Sequence, residues 1–176
     1  GGQRPFAFEK LRAYDATAFD AMRAEAAAAA KPLSAGLLFG NDVSLEAVET
    51  TRRHLQNIGG DATADAVTLT NLPMERCAAP APSGLLLTNP PYGERLNELA
   101  DLKAWYPHVG TWLKKTMAGW KACFITADRG LPSGIGFKPS KKTPLFNGAL
   151  DCRLFEFELY AGTRRADKLQ GASEGK

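Results

Sequence analysis

The run Thr88-Asn89-Pro90-Pro91-Tyr92-Gly93-Glu94-Arg95-Leu96 holds the densest chemistry of the 176-residue chain. An amide, two prolines and an aromatic ring follow one another directly. The Asn89 side chain offers an acceptor oxygen and a donor nitrogen side by side. Pro90 and Pro91 remove backbone donors and fix φ, which stiffens the loop and leaves carbonyls to accept. Tyr92 offers a flat face for stacking. This set suits a planar ring bearing an exocyclic amine, which describes a nucleobase. A bare N-P-P would read equally well as a Pro-stiffened turn. The full run, directly after the apolar Gly84-Leu85-Leu86-Leu87, favours a grip on a ligand.

Two further polar residues stand at the ends of apolar runs. Asp42 follows Leu37-Leu38-Phe39-Gly40, and Asn71 follows Ala66-Val67-Thr68-Leu69-Thr70. A carboxylate in the place of Asp42 accepts hydrogen bonds from ribose hydroxyls in nucleotide-binding α/β folds. The plainer reading is a loop acid that favours the next helix's N-terminus. Asn71 could meet an adenine edge, since it both donates and accepts, or could simply form a turn.

The elements that must position these residues can be read in order. Asp15 is a helix N-cap, Phe19 and Met22 follow at helical spacing, the Ala26 to Ala30 run favours helix, and Pro32 stops it. The Leu37 run reads as a short buried strand. Ser44 caps a second helix with Leu45, Val48 and Leu55 as its stripe, and Gly59-Gly60 ends it. A third extended segment, Ala66 to Thr70, precedes a Pro- and Ala-rich loop from Pro73 to Pro82. The Leu85 run reads as another buried strand. Leu102 to Met117 reads as a helix whose start Pro107 moves toward Trp105. Ala122 to Thr126 is a buried strand and residues 129 to 136 are a loop. Lys138 to Phe146, the turn signal Asn147-Gly148, and Leu154 to Tyr160 make a hairpin. The polar tail from Ala161 to Lys176 is expected to be disordered.

Strands alternating with helices imply an α/β fold: a mostly parallel sheet covered on both faces, closed by an antiparallel C-terminal hairpin. Ligands of such sheets bind beyond the strands' carboxyl ends. Asp42, Asn71 and Asn89 are all expected at that edge.

Composition narrows the class. Hydrophobic content of 44% and charged content of 23% are those of one globular domain, expected here over residues 1–160. No apolar run reaches membrane-spanning length, and no secretory signal opens the chain. Cys77, Cys123 and Cys152 lie far apart in sequence and away from His54 and His108, so no metal site is expected. Reduced thiols fit a cytoplasmic location. The net charge of +3 permits nucleic-acid binding without establishing it.

The chain resembles the catalytic domain of the S-adenosylmethionine-dependent RNA methylase family often fused to a THUMP domain. More narrowly it is similar to bacterial 23S ribosomal RNA guanine-N2-methyltransferases. The resemblance rests on Asn89-Pro90-Pro91-Tyr92-Gly93-Glu94-Arg95-Leu96. It rests also on Arg4-Pro5-Phe6-Ala7-Phe8-Glu9-Lys10, on Gly40-Asn41-Asp42, and on Asn147-Gly148 with Leu150-Asp151-Cys152. It spans roughly residues 4 to 160. It implies a Rossmann-like class I methyltransferase sheet, S-adenosyl-L-methionine as cofactor and RNA, 23S rRNA in particular, as partner. Asp42 would bind the cofactor's ribose. Asn71 stands where many relatives carry Asp against the adenine, and its amide oxygen can accept the same hydrogen bond. Asn89 and the Pro90 carbonyl would accept from the target amine, Pro91 would stiffen the loop, and Tyr92 would stack on an extruded base. Arg95, Lys138, Lys141 and Lys142 would touch phosphates, unless they are ordinary solvated charges.

The N-P-P-Y run is shared with adenine-N6 and glutamine methyltransferases. An adenine-N6 methyltransferase on RNA or DNA, and a non-catalytic RNA-binding scaffold, are the competing readings. The family's glycine-rich cofactor turn after its first strand is not found. Nothing before Asp42 pairs an apolar strand with such a turn, and Gly134-Ile135-Gly136 lacks a preceding strand. The first strand is therefore expected upstream, in a longer protein, and residues 1–176 alone are expected to be inactive. If the Leu37 and Leu85 strands pair directly, that expectation fails.

Overall fold

The computed structural model describes residues 5–91 and 96–160. Tyr92, Arg95 and the expected tail from Ala161 lie outside the described residues. The chain divides into two units, Gly1–Met74 and Glu75–Lys176.

The first unit holds α1 (Ala16–Ala29), β1 (Leu38–Asp42), α2 (Leu45–Ala66) and β2 (Val67–Asn71). The Asp15 carboxylate accepts the Ala18 N–H at 3.0 Å and fixes the start of α1. A short 3-10 turn before it, Ala7–Lys10, gathers Phe6, Phe8, Tyr14 and Phe19 into a small aromatic cluster. Ser44 caps α2 by accepting from the Ala47 N–H at 3.3 Å. Gly59 and Gly60 break its helical backbone, but a further helical turn runs on to Ala66. Gly60, with φ of 75°, takes a conformation that a side chain would strain. β1 and β2 pair in parallel from Leu38↔Val67 to Asp42↔Asn71.

The second unit holds β3 (Gly84–Thr88), α3 (Leu96–Thr116), β4 (Trp120–Thr126), α4 (Leu131–Ile135), β5 (Lys141–Asn147) and β6 (Leu150–Glu158). Its sheet has the order β3-β4-β6-β5, with β3 and β4 parallel and β6 antiparallel to both neighbours. The core lies here. Phe124, Phe157, Leu113, Val109, Leu131 and Ile135 are nearly or wholly buried, and the Phe124 and Phe157 rings meet edge to face at 5.9 Å.

The strands form two sheets, and β1 and β3, the Leu37 and Leu85 strands, do not pair directly. Three expectations are corrected. β1 and β3 are not buried: Leu38, Phe39, Leu85 and Leu87 are all exposed. Among the described residues each of these strands pairs on one side only, and these apolar side chains stay open to solvent. α3 begins at Leu96, and Pro107 sits inside it. Pro107 is on the exposed side of the helix, where water can serve the carbonyl that loses its N–H partner, and Thr111 Oγ1 donates to the Pro107 carbonyl at 2.9 Å. The segment 129–136 contains α4, which has Pro132 in its first turn and Gly136 in the left-handed conformation as its C-cap. Glycines let α4 sit close to α3: a Cβ on Gly110 would lie 2.0 Å from the Ile135 carbonyl oxygen.

Candidate functional site

At the carboxyl end of the first unit's sheet, Asp42 and Asn71 are brought together as ladder partners. Asn71 Nδ2 donates to the carbonyls of Asp42 at 3.0 Å and Val43 at 2.9 Å. That bonding turns its Oδ1 into the group left to accept. An aspartate here would have no N–H for either carbonyl. The Asp42 Oδ1 accepts from the Ser44 N–H at 2.8 Å, and its Oδ2 has no hydrogen-bond partner among the described residues. A carboxylate oxygen and an amide oxygen are therefore presented at one strand end. This donor-poor, acceptor-rich pair fits ribose hydroxyls and an adenine amine.

Asn41 is a residue whose part in this rim sequence reasoning missed. Its Nδ2 donates to the Leu72 carbonyl at 3.0 Å, while its Oδ1 accepts from the Leu72 N–H at 3.2 Å and from Thr70 Oγ1 at 3.0 Å. It locks the exit of β2 against β1. An asparagine next to the candidate acid was the available signal.

In the second unit, Asn89, Pro90 and Pro91 leave the carboxyl end of β3 as the sequence predicts. Asn89 and Pro91 are exposed and Pro90 is buried, so the loop is anchored by its middle residue. Thr88 pairs with Phe124, which puts this loop beside the last residues of β4. There the structure adds a constellation absent from the sequence reading. Tyr106 of α3, almost wholly buried, donates its hydroxyl to Asp128 Oδ2 at 2.8 Å. Asp128 Oδ1 accepts from the Gly130 N–H at 2.7 Å, and the Asp128 N–H donates to the buried Thr126 Oγ1 at 3.0 Å. Burial first, then the Asp128 hydrogen bond, raise the Tyr106 phenol pKa. The group pins the β4–α4 loop to α3.

Farther along, Asp151 of β6 accepts from Arg129 Nη2 at 2.6 Å and from Arg153 Nη1. The Arg153 hydrogen bond, helped by the charges of Arg153 and Arg129, holds the Asp151 carboxyl below its ordinary pKa.

The predicted basic contacts fare unequally. Lys138 is exposed. Lys141 faces Glu156 at 3.6 Å, and Lys142 lies over the Phe155 ring at 5.9 Å, so both already have partners. Glu156 also holds Lys121 at 3.1 Å. That hydrogen bond raises the Lys121 pKa and lowers that of Glu156. Among the described residues Cys77, Cys123 and Cys152 form no disulfide. Among the described residues, no group of three metal-ligating side chains occurs, and no helix is long and apolar enough to cross a membrane.

Parallel strand pairs, a closing antiparallel hairpin and polar residues at strand carboxyl ends are features of the Rossmann-like methyltransferase class. Two solved structures share this fold. One is described as a methyltransferase complexed with SAH: TM-score 0.73, 27% identity, 92% of this chain and 42% of that one covered. The other is described as a methylase from Clostridium difficile 630: TM-score 0.76, 26% identity, with the same coverage. The sequence family described as "RMKL-like, methyltransferase domain" matches residues 2–156, and this chain belongs to it. Curated relatives include proteins named ribosomal RNA large subunit methyltransferase K/L. That of Shewanella baltica (strain OS185) is 34% identical over 173 residues and that of Shewanella oneidensis 33% identical over 168. Each alignment covers 92% of this chain but only 23% of the relative's length.

Proposed function

We propose that this domain transfers a methyl group from S-adenosyl-L-methionine to an exocyclic base amine in RNA, guanine N2 of 23S rRNA in particular. Asn89-Pro90-Pro91 at the carboxyl end of β3, in a chain of this family, is the observation that carries the reading. The rRNA methyltransferase names of the relatives support RNA as the substrate.

The cofactor supplies an electrophilic sulfonium methyl when bound. Asp42 would hold its ribose through the uncommitted carboxylate oxygen, and Asn71 Oδ1 would accept from its adenine amine. The target amine is a poor nucleophile, because its lone pair is delocalised into the ring. Asn89 and the Pro90 carbonyl accept hydrogen bonds from its two N–H groups. Both protons are thereby held out of the ring plane, and the lone pair is localised and aimed at the methyl. This is catalysis by positioning and electrostatics. Tyr92 stacks on the extruded base, and Arg95 and Lys138 meet phosphates. Lys141 and Lys142 would do so only by exchanging their present partners.

The one-sided pairing and exposed leucines of β1 and β3 support a further part of the proposal. A segment of the same protein outside residues 1–176 supplies the missing strand and the glycine-rich turn. The length of the curated relatives leaves room for it and for a THUMP domain. Residues 1–176 alone would then be inactive.

Nucleoside analysis by mass spectrometry, after incubating RNA with the natural-length protein and the methyl donor, tests the reaction. N2-methylguanosine is expected. N6-methyladenosine would instead favour the adenine reading, and no cofactor binding at all would favour a scaffold. Asn89→Ala should slow turnover at least about 100-fold, the scale of losing one positioned hydrogen bond at a reacting centre. Turnover close to wild type would sink the assignment.

A further inference from the structure

The β5–β6 hairpin is longer than the strand beside it. Thr126, the last residue of β4, is level with Arg153 of β6, which faces Pro144 of β5. Beyond that row the hairpin runs on through Leu145↔Cys152, Phe146↔Asp151 and Asn147↔Leu150. It turns at Gly148, whose φ of 60° only a glycine adopts easily. β3 runs parallel to β4 with Thr88 level with Phe124, so the overhang and the Asn89-Pro90-Pro91 loop rise from the same rim of one sheet.

The overhang presents an unusual pair. Phe146 is 77% exposed, more than any other phenylalanine among the described residues. It gives nothing to the core. Directly opposite it stands Asp151, and opposed residues of an antiparallel pair put their side chains on one face, with Cβ atoms about 4.5–5.5 Å apart. Asp151 in turn holds Arg129, whose side chain is 66% exposed. Two guanidiniums share the one carboxylate, so Arg129, Asp151 and Arg153 together keep a positive charge. The other acid of this loop, Asp128, has both oxygens engaged by Tyr106 and Gly130. Lys142 lies four pairs back on the same face of β5.

An exposed ring beside an exposed, pre-oriented guanidinium has the chemistry of a single-stranded nucleic-acid contact: a sequence-tolerant stacking surface with a partner for phosphate. We propose that Phe146 and Arg129 bind a nucleotide flanking the methylated one in single-stranded RNA. Phe146 stacks on the base, Arg129 meets the phosphate, and Asp151 is a positioning residue that orients Arg129. This inference rests on the RNA-methyltransferase reading above and adds to it a second contact that fixes how the strand enters the site.

The test uses the protein at its natural length and an RNA that the wild type methylates. Phe146→Ala and Arg129→Gln should each raise KM for RNA about tenfold, the size of one base–aromatic stack or one phosphate contact, with kcat unchanged. Phe146→Trp should keep the wild-type KM, and Phe146→Leu should behave like alanine. Arg129→Gln should also reduce the slope of log affinity against log salt by about 0.7, as expected for one phosphate on a single strand. All four side chains are exposed or replace exposed ones, so melting temperatures should match. If wild type methylates RNA and KM stays within twofold of it in both Phe146→Ala and Phe146→Leu, the contact is refuted and the function stands. A wild type that methylates no RNA overturns both. A change in oligomeric state on Phe146→Ala with KM unmoved would make the patch a protein interface and also overturn the proposal.

Discussion

The two units are built from similar words and end up differently. Both contain short runs of leucine, phenylalanine and valine flanked by polar residues. In the second unit β4 is flanked on both sides, and Ala122, Phe124 and Phe157 disappear into a core closed by α3 and α4. Among the described residues of the first unit only Ala64, Ala66 and Val67 are buried, and Phe39 remains 44% exposed. The lesson is that an apolar strand needs neighbours on its edges and layers on its faces before its side chains stabilise anything. The rims differ in kind as well. The first unit fixes its strand ends with side-chain amides, Asn41 and Asn71, bonded to main chain. The second uses prolines and the part-buried Tyr106–Asp128 bond.

The largest expected effect tests the contrast in burial. Phe157→Ala should cost about 3–5 kcal/mol in urea titrations, as for other buried aromatics. Phe39→Ala in residues 1–176 should cost about 0.5 kcal/mol or less, like other surface changes. In the natural-length protein the Phe39 cost should climb toward that of a buried residue. If it stays small there, the idea of a completing strand is wrong. Next in size is a contrast in close approach. Gly110→Ala drives a Cβ into the Ile135 carbonyl oxygen, backbone against backbone, and should cost about 1–3 kcal/mol. Gly40→Ala meets only the Leu69 Cδ2 at 2.7 Å, a side-chain tip that can rotate, and should cost less. Equal costs would mean that α4 yields as easily as a side chain.

The smallest of the three contrasts concerns Tyr106. Tyr106→Phe removes one hydrogen bond and should cost about 1 kcal/mol. The folded-state pKa of Tyr106 is raised, so its contribution is fully present below the ordinary tyrosine value of about 10 and is lost as pH rises through the folded value. The gap between wild type and Tyr106→Phe in urea midpoint should hold from pH 7 to 9 and close above pH 10. A gap unchanged at pH 11 would show that the phenol does not carry it.

Much of this was legible in the sequence. The caps Asp15 and Ser44, the strands, the hairpin turn at Asn147-Gly148 and the Asn89 loop all follow from local rules. Helix N-caps, period-two apolar runs and turn residues act within a few positions of one another. The family was legible for a related reason: its motif is contiguous. The helix around Pro107 was not, because the tolerance of an interior proline depends on which side of the helix faces water. α4 was not, because its glycines read as loop until α3 is seen packing against them.

Sequence by itself determined the element types, the polar residues at the strand ends and the chemistry that Asn89, Pro90 and Pro91 can offer. Only the tertiary structure decided which apolar strands are buried, that Asn71 spends its amide nitrogen on two carbonyls, and that Phe146, Asp151 and Arg129 stand together. The physical reason is range. Caps, turns and periodicity are set by neighbours along the chain. Burial, hydrogen-bond allocation and side-chain clusters are set by strand pairing between residues far apart in sequence, which no local pattern encodes.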